Sequence, residues 1–140
     1  MKILILIILL AGVAYTLYII FFARLSKNIQ ILNADEFENR LEATKDVQLI
    51  DVRTAREYIK YRIAGAINID YLRVDFRKEI KKLDKNKPVM VYCHSGYRSK
   101  MVLPIFSNAG FKTINELNTG FSGWVKAEKP IENSSDISKQ

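Results

Sequence analysis

Cysteine and histidine are almost absent from this 140-residue sequence, which contains one of each, Cys93 and His94, side by side. A single cysteine excludes a disulfide within the chain and leaves no C-x-x-C pair. One cysteine and one histidine are also too few for the Cys/His clusters that hold structural zinc. The sequence therefore predicts no metal site. A solitary thiol is compatible with either side of a membrane, so it indicates no redox compartment.

The sequence also lacks any stretch in which charge of one sign is concentrated. It has 22 Lys and Arg residues against 15 Asp and Glu residues, a net charge of +7, and the two signs are interleaved. Nucleic-acid binding would predict basic residues gathered on one stripe with aromatic partners. We therefore predict no nucleic-acid partner. The slightly basic surface can attract small anions or anionic lipid head groups.

The N-terminal part is marked by a long hydrophobic run, because residues 3–23 (ILILIILLAGVAYTLYIIFFA) contain no charge. As a helix this run would span about 30 Å, the thickness of a bilayer's hydrocarbon core. We predict a transmembrane anchor at 1–23 and a linker at 24–28. A cleaved signal peptide is the alternative, but the apolar run continues through Phe22, beyond the small residues that could form a cleavage site. A lipoprotein signal is disfavoured because Val13 stands where the lipidated cysteine would be.

Basic residues near this segment bear on its orientation. Lys2 precedes the segment, whereas Arg24, Lys27 and Arg40 follow it. This imbalance predicts a single-pass protein of the cell membrane whose domain faces the cytoplasm. Lys2 at the start of a signal anchor argues for the opposite orientation, and a folded domain after one anchor can be translocated largely regardless of charge.

After Ser26, short β-favouring runs alternate with helical patterns, which is typical of βαβ units and a parallel sheet. Two capping-box spacings each predict a helix start, and Pro104 predicts a kinked or irregular helix after the cysteine. We predict an α/β domain at 29–130, with a central, mostly parallel sheet flanked by helices, and a loose polar tail at 131–140. The predicted segments are strands at 47–51, 67–69, 89–92 and 113–117, helix starts at Asn33 and Thr54, and an amphipathic helix with apolar positions Leu72, Phe76, Ile80 and Leu83.

The sole cysteine falls at a position that favours chemistry. Cys93 directly follows the apolar strand candidate Val89 to Tyr92, and a helix is predicted to begin near Ser99. Ligands of open α/β sheets bind at the carboxyl ends of parallel strands. A helix N-terminus also favours anions, and therefore the thiolate that nucleophilic attack requires.

Four motifs follow one another along the chain: LIDVRTAREY (49–58), RIAGAINI (62–69), VYCHSGYRS (91–99) and AGF (109–111), followed by Trp124. In this order they resemble the rhodanese homology domain over roughly residues 29–130. The resemblance implies that Cys93 accepts sulfane sulfur as a persulfide and passes it to a thiophilic acceptor, without a cofactor. It also implies a small sulfur donor and a thiol or protein acceptor as partners.

Within this family pattern we assign the loop after Cys93 to donor binding. Arg98 is the expected electrostatic partner, because a cation at a helix N-terminus needs a nearby anion to offset the helix dipole. Gly96 should adopt a backbone conformation denied to other residues. Asp51 and Arg53 are expected to support the loops structurally or to border the pocket, and Trp124 to fill the core. The remaining expected loop contacts are His94, Ser95, Tyr97 and Ser99.

Two other functions remain open at this point. Cysteine-dependent phosphatases and arsenate reductases are disfavoured, because their loops need one residue more than the C-x4-R spacing from Cys93 to Arg98. A non-catalytic binding or regulatory module would usually lack the loop cysteine. The sequence departs from the family where Gly-His-Ile-Pro reads Tyr-Arg-Ile-Ala (61–64) and where Gly-Gly reads Thr-Gly (119–120). Neither change touches the cysteine loop.

Overall fold

The computed structural model describes residues 2–26 and 28–133. Five parallel strands form one sheet in the order β1-β5-β4-β2-β3. This confirms the predicted α/β class. The elements are α1 (Lys2–Ser26), β1 (Ile29–Leu32), α2 (Ala34–Ala43), β2 (Gln48–Asp51), α3 (Ala55–Lys60), β3 (Ile67–Asn68), α4 (Phe76–Lys82), β4 (Val89–Tyr92), α5 (Tyr97–Asn108), β5 (Ile114–Leu117) and α6 (Gly120–Lys126).

Both predicted capping boxes start helices. Asn33 Oδ1 accepts from the backbone N–H of Glu36 at 3.0 Å, while Glu36 Oε2 accepts from the N–H of Asn33 at 2.9 Å. Thr54 and Glu57 make the same reciprocal pair at the start of α3. These contacts satisfy N–H groups that have no partner inside the helix. They define the residues at which α2 and α3 begin.

Strand β4 lies in the middle of the sheet and is buried on both faces. Val89 and Val91 pack into the apolar cluster on the α5 side, whereas Met90 and Tyr92 pack into the cluster that contains Trp124. Trp124 is 2% exposed, which confirms its predicted place in the core. Burying a large apolar side chain contributes about 1.5–3 kcal/mol, so packing on both faces holds the end of β4 firmly.

Three helix boundaries differ from the predicted ones, and the strands predicted at 47–51, 67–69 and 113–117 are each one residue shorter. Helix α1 continues to Ser26, so of the predicted linker only residues 27 and 28 follow it, and residue 27 lies outside the described residues. Helix α4 begins at Phe76, and Leu72 is exposed because it precedes the helix. Helix α5 begins at Tyr97, two residues before the predicted start, because Gly96 turns the chain into it.

Helix α5 runs without interruption through Pro104, so the prediction of an irregular helix is wrong at the level of secondary structure. Pro104 is exposed, while its neighbours Val102, Leu103 and Phe106 pack into the core. The missing N–H therefore lies on the solvent side, where water can satisfy the carbonyl group that loses its partner. The first turn of α5 retains its bond from Lys100 N–H to the Gly96 carbonyl, at 3.4 Å.

The first residues of the predicted polar tail are attached to the domain. Arg62 and Glu132 exchange two backbone hydrogen bonds of 2.9 Å, and Arg62 Nε donates to Glu132 Oε1 at 2.7 Å. Arg62 is 1% exposed, and its guanidinium lies 4.7 Å from the centre of the Tyr58 ring. The unusual arginine of the 61–64 segment thus helps to hold this part of the chain. Residues 134–140 of the predicted tail lie outside the described residues.

Candidate active site

The candidate site is the loop between β4 and α5, at the carboxyl end of the sheet. Cys93 follows the last residue of β4, and Gly96 is the N-cap of α5, so the loop is short. Cys93 is fully buried. The thiol is therefore shielded from solvent. It lies close to the N-terminus of a twelve-residue helix, whose free N–H groups favour an anion.

Two glycines allow the loop to pack closely against its neighbours. Gly96 has φ +84°, which confirms its predicted special conformation, and a Cβ there would lie 2.0 Å from the carbonyl oxygen of Asn118. Gly120 has φ +59°, and a Cβ there would lie 2.6 Å from the carbonyl carbon of His94. The close approach to His94 is made at Gly120, the second position of the family's Gly-Gly pair. A side chain is therefore tolerated at the first position, where this chain has Thr119.

The start of α6 holds the loop backbone through hydrogen bonds. The N–H of Phe121 donates to the Cys93 carbonyl at 2.7 Å, and the N–H of Ser122 donates to the His94 carbonyl at 2.9 Å. The Ser122 hydroxyl also lies 3.1 Å from His94 Nε2. These bonds hold two loop carbonyls against the start of α6. His94 is exposed and belongs to the rim of the site.

Beside the thiol lies a buried hydroxyl and, behind it, a buried carboxyl group. Ser99 Oγ is 3.4 Å from Cys93 Sγ and 2.6 Å from Glu116 Oε1. Ser99 and Glu116 are both fully buried. Burial raises the pKa of Glu116, although the Ser99 hydrogen bond and the Lys100 charge act in the opposite direction. Ser99 thus contacts the sulfur directly.

The Arg98 side chain forms an ion pair with α3. Its guanidinium makes a two-pronged contact with Glu57, with NH1 donating to Oε2 at 2.8 Å and NH2 donating to Oε1 at 2.6 Å. This pairing lowers the pKa of Glu57 to about 2, against the opposing effect of burial. The charge that offsets Arg98 in the structure is therefore a carboxylate. Its predicted contact with a sulfur donor stays a prediction.

Asp51 and Arg53 form a buried ion pair at the end of β2. Arg53 NH2 lies 2.6 Å from Asp51 Oδ2 and also donates to the Tyr61 carbonyl at 2.7 Å. The guanidinium lies 4.2 Å from the centre of the Phe121 ring in α6. These contacts tie β2 to the α3–β3 connection and to α6. These contacts support the interpretation that Asp51 and Arg53 have a structural role.

Comparison with known proteins decides the family. The profile described as Rhodanese-like domain matches residues 33–127, well over half of the chain. The chain belongs to this family. Its rhodanese-like domain is 33% identical over 105 residues to the thiosulfate sulfurtransferase GlpE of Coxiella burnetii, covering 75% of this chain and 94% of that protein.

Two further proteins show how far the likeness extends. The putative sulfur carrier protein YrkF of Bacillus subtilis is 27% identical over 100 residues, covering 71% of this chain and only 53% of YrkF. A solved structure of a rhodanese-related protein from Thermoplasma volcanium superposes with a TM-score of 0.64 at 26% identity, covering 74% of this chain and 97% of that one. The fold is therefore shared with compact rhodanese-related proteins.

The structure brings two acidic residues into this rhodanese-like site that the sequence prediction did not assign to it. Glu57 was interpreted only as a capping-box residue, and its pairing with Arg98 joins positions 41 residues apart. Glu116 carried a signal that could have been used, because it is an acidic residue within a short strand, INEL, whose four residues are all buried. Acidic side chains are rarely fully buried unless they are paired. Of the remaining predicted loop residues, Ser95 and Tyr97 are exposed at the rim.

Proposed function

We propose that this protein is a membrane-anchored sulfurtransferase that carries sulfane sulfur as a persulfide on Cys93. The observation that carries the proposal is the position of its sole cysteine, beside Ser99 and at the N-terminus of α5. Free N–H groups at that end of the helix can stabilise a thiolate and the persulfide formed from it. The backbone from His94 to Ser99 would form the anion cradle.

The chemistry is a two-step relay through a covalent intermediate. The Cys93 thiolate attacks the outer sulfur of a donor such as thiosulfate and forms an S–S bond. The donor's own S–S bond breaks, and its electron pair leaves with sulfite. A thiol or protein acceptor then attacks the outer sulfur of the persulfide, and Cys93 is released as a thiolate. The relay needs no cofactor.

Names of the relatives support this class of reaction. GlpE is described as a thiosulfate sulfurtransferase, and nearly its whole length matches this domain. YrkF is described as a putative sulfur carrier protein. We extend to this chain the general expectation of a small sulfur donor and a thiol or protein acceptor.

The alternative enzyme class, a cysteine-dependent phosphatase, gives the first test. We expect the purified protein to transfer sulfur from thiosulfate to cyanide and to release no phosphate from an aryl phosphate, because only four residues separate Cys93 from Arg98. Cys93→Ser serves as the control in both assays. A phosphatase rate that depends on Cys93, without sulfur transfer, would reverse the assignment. Absence of both activities would favour the binding module.

Anchoring in a membrane is the second part of the proposal. The segment Lys2–Ile20 of α1 has a mean hydropathy of 2.8 and is long enough to cross a bilayer. None of this segment is buried against the rest of the described chain. Apolar side chains left this exposed need a nonaqueous environment. We infer a single-pass anchor, with the domain on the cytoplasmic side as the basic residues after the helix favour.

Orientation can be tested with an introduced cysteine, because the buried Cys93 is a poor reporter. We expect Lys78→Cys, on an exposed position of α4 and combined with Cys93→Ser, to resist a membrane-impermeant maleimide in intact cells. The same variant should react fully after detergent opens the membrane. Cys93→Ser alone is the matched blank. Equal labelling before and after opening would place the domain outside the cytoplasm.

A further inference from the structure

Glu116 is a buried acidic residue that the sulfur relay described above does not use. It is fully buried, and its Oε2 has no hydrogen-bond partner among the described residues. Strand β5 places it opposite Val91 of β4, two residues before Cys93. A carboxyl group left partly unsatisfied in an apolar core costs stability. That cost suggests a role beyond packing.

The Ser99 hydroxyl joins this carboxyl group to the thiol. Its single hydrogen cannot be donated to Glu116 and to Cys93 at the same time. When Glu116 is ionised, Ser99 donates to the carboxylate and can accept from the thiol S–H. When Glu116 is protonated, the carboxyl O–H donates to Ser99, and Ser99 donates to the sulfur anion. The two arrangements differ only in the positions of protons.

We propose that Glu116 is the internal acceptor of the Cys93 proton, which reaches it through the hydroxyl of Ser99. The S–H bond of Cys93 breaks as its proton passes to Ser99 Oγ, and the Ser99 proton passes to Glu116 Oε1. A neutral carboxyl group and a thiolate replace a carboxylate and a thiol, so the net charge of the site is unchanged. The proposal rests on the proposed function only in taking Cys93 as the nucleophile.

The surroundings favour this exchange over ionisation of both groups. Two anions linked by one hydroxyl repel each other, and burial strengthens the repulsion. Helix α5 contributes two cations, Lys100 acting on Glu116 and Arg98 acting on Cys93, the latter already paired with Glu57. Strand β1 (IQIL) contributes no titratable side chain. The charged residues of α2, which packs on β5 from the other face of the sheet, are Asp35, Glu36, Glu38, Arg40 and Glu42.

Sharing of one proton has a distinct signature in a titration. Two sites that interact strongly lose their protons in two steps that belong to the pair, and both steps appear in the signal of either site. The thiolate absorbance of the wild type should therefore rise partly to a plateau and complete its rise at higher pH. The plateau measures the fraction of molecules in which the proton rests on Glu116.

Two variants separate this sharing from simple repulsion. Glu116→Gln keeps the shape of the side chain but cannot take up a proton, so the thiolate should form completely in a single step. Ser99→Ala removes the hydroxyl that donates to the sulfur anion when Glu116 holds the proton, so Glu116 should ionise first without any thiolate signal. The thiolate should then form in one step, at a higher pH than in Glu116→Gln, because a carboxylate is already present.

The experiment is a pH titration of thiolate ultraviolet absorbance on the full chain in detergent, with Cys93→Ser subtracted at every pH to remove tyrosine signals. Two steps in the wild type and one in each variant would support the relay. One step in the wild type, or two steps persisting in either variant, would overturn it. Circular dichroism checks folding, and if one variant does not fold, the wild type and the other variant still decide. Persulfide formation is measured separately, so either proposal can fail alone.

Discussion

Cys93→Ser should abolish the gain of one sulfur atom that we expect when the wild-type protein meets a sulfane donor. The expected effect is complete, because the chain has no second cysteine that could hold the sulfur. A serine oxygen forms no persulfide. The substitution removes the nucleophile while keeping a side chain of similar shape, which can still contact the Ser99 hydroxyl. Intact-mass spectrometry before and after exposure to thiosulfate or a polysulfide measures the change directly.

The control for this prediction uses the reversibility of the persulfide. The added mass in the wild type should disappear on treatment with cyanide or a thiol, because each attacks the outer sulfur. Circular dichroism should show that Cys93→Ser retains the fold. Equal labelling of this variant would contradict the sulfur-carrier proposal. So would a wild type that gains no sulfur from either donor.

The sequence predicted the scaffold of this site because the scaffold depends on local patterns. The capping boxes at Asn33 and Thr54, the apolar run before Cys93 and the Gly96 turn each involve residues a few positions apart. Local hydrogen bonding and periodicity determine such features, so they can be identified in one sequence. Family resemblance then supplied the sulfur chemistry expected of Cys93.

The electrostatics of the site could not be predicted in the same way. Arg98 was expected to face a sulfur anion, but its partner Glu57 comes from a different helix. Ser99 was expected only as one of the loop contacts for the donor, and the structure places its hydroxyl between Cys93 and Glu116. These contacts depend on how α3, α5 and β5 pack, and no periodicity in the sequence reports that packing. The position of the thiol was predictable, whereas the polar and charged groups packed around it were not.

The backbone of the cysteine loop and the side chains around the sulfur are held by different contacts. The loop backbone is held by α6 through the Cys93 and His94 carbonyls, independently of the side chains that surround the sulfur. Positions such as Glu116 can therefore change the protonation of the thiol without altering the path of the loop. The glycines have the opposite role, because they determine the path of the loop and carry no chemistry. Substitutions at the two kinds of position should fail differently.

Gly96→Ala should reduce both stability and sulfur transfer far more than Gly65→Ala. Both glycines have positive φ, +84° and +76°, so each substitution costs roughly 1–2 kcal/mol of conformational strain. The two positions differ in the room available for a Cβ. At Gly65 a Cβ meets nothing within 4 Å, whereas at Gly96 it would lie 2.0 Å from the Asn118 carbonyl oxygen. The Asn118 backbone is held in turn by its N–H bond to the Leu32 carbonyl, at 2.9 Å. The loop must therefore move, at a further cost of about 1–3 kcal/mol.

Movement of the loop should displace the sulfur from the N–H groups of α5. A misplacement of about 1 Å can cost about 100-fold in rate, so we expect a loss of that order for Gly96→Ala. Gly65→Ala should transfer sulfur at the wild-type rate, because Gly65 is an exposed residue of the α3–β3 connection, outside the cysteine loop. Thermal unfolding and cyanide-coupled sulfur transfer, measured on both variants in the same detergent, provide the comparison. Equal losses in the two variants would show that strain alone matters, and that close packing of the loop against Asn118 does not position the sulfur.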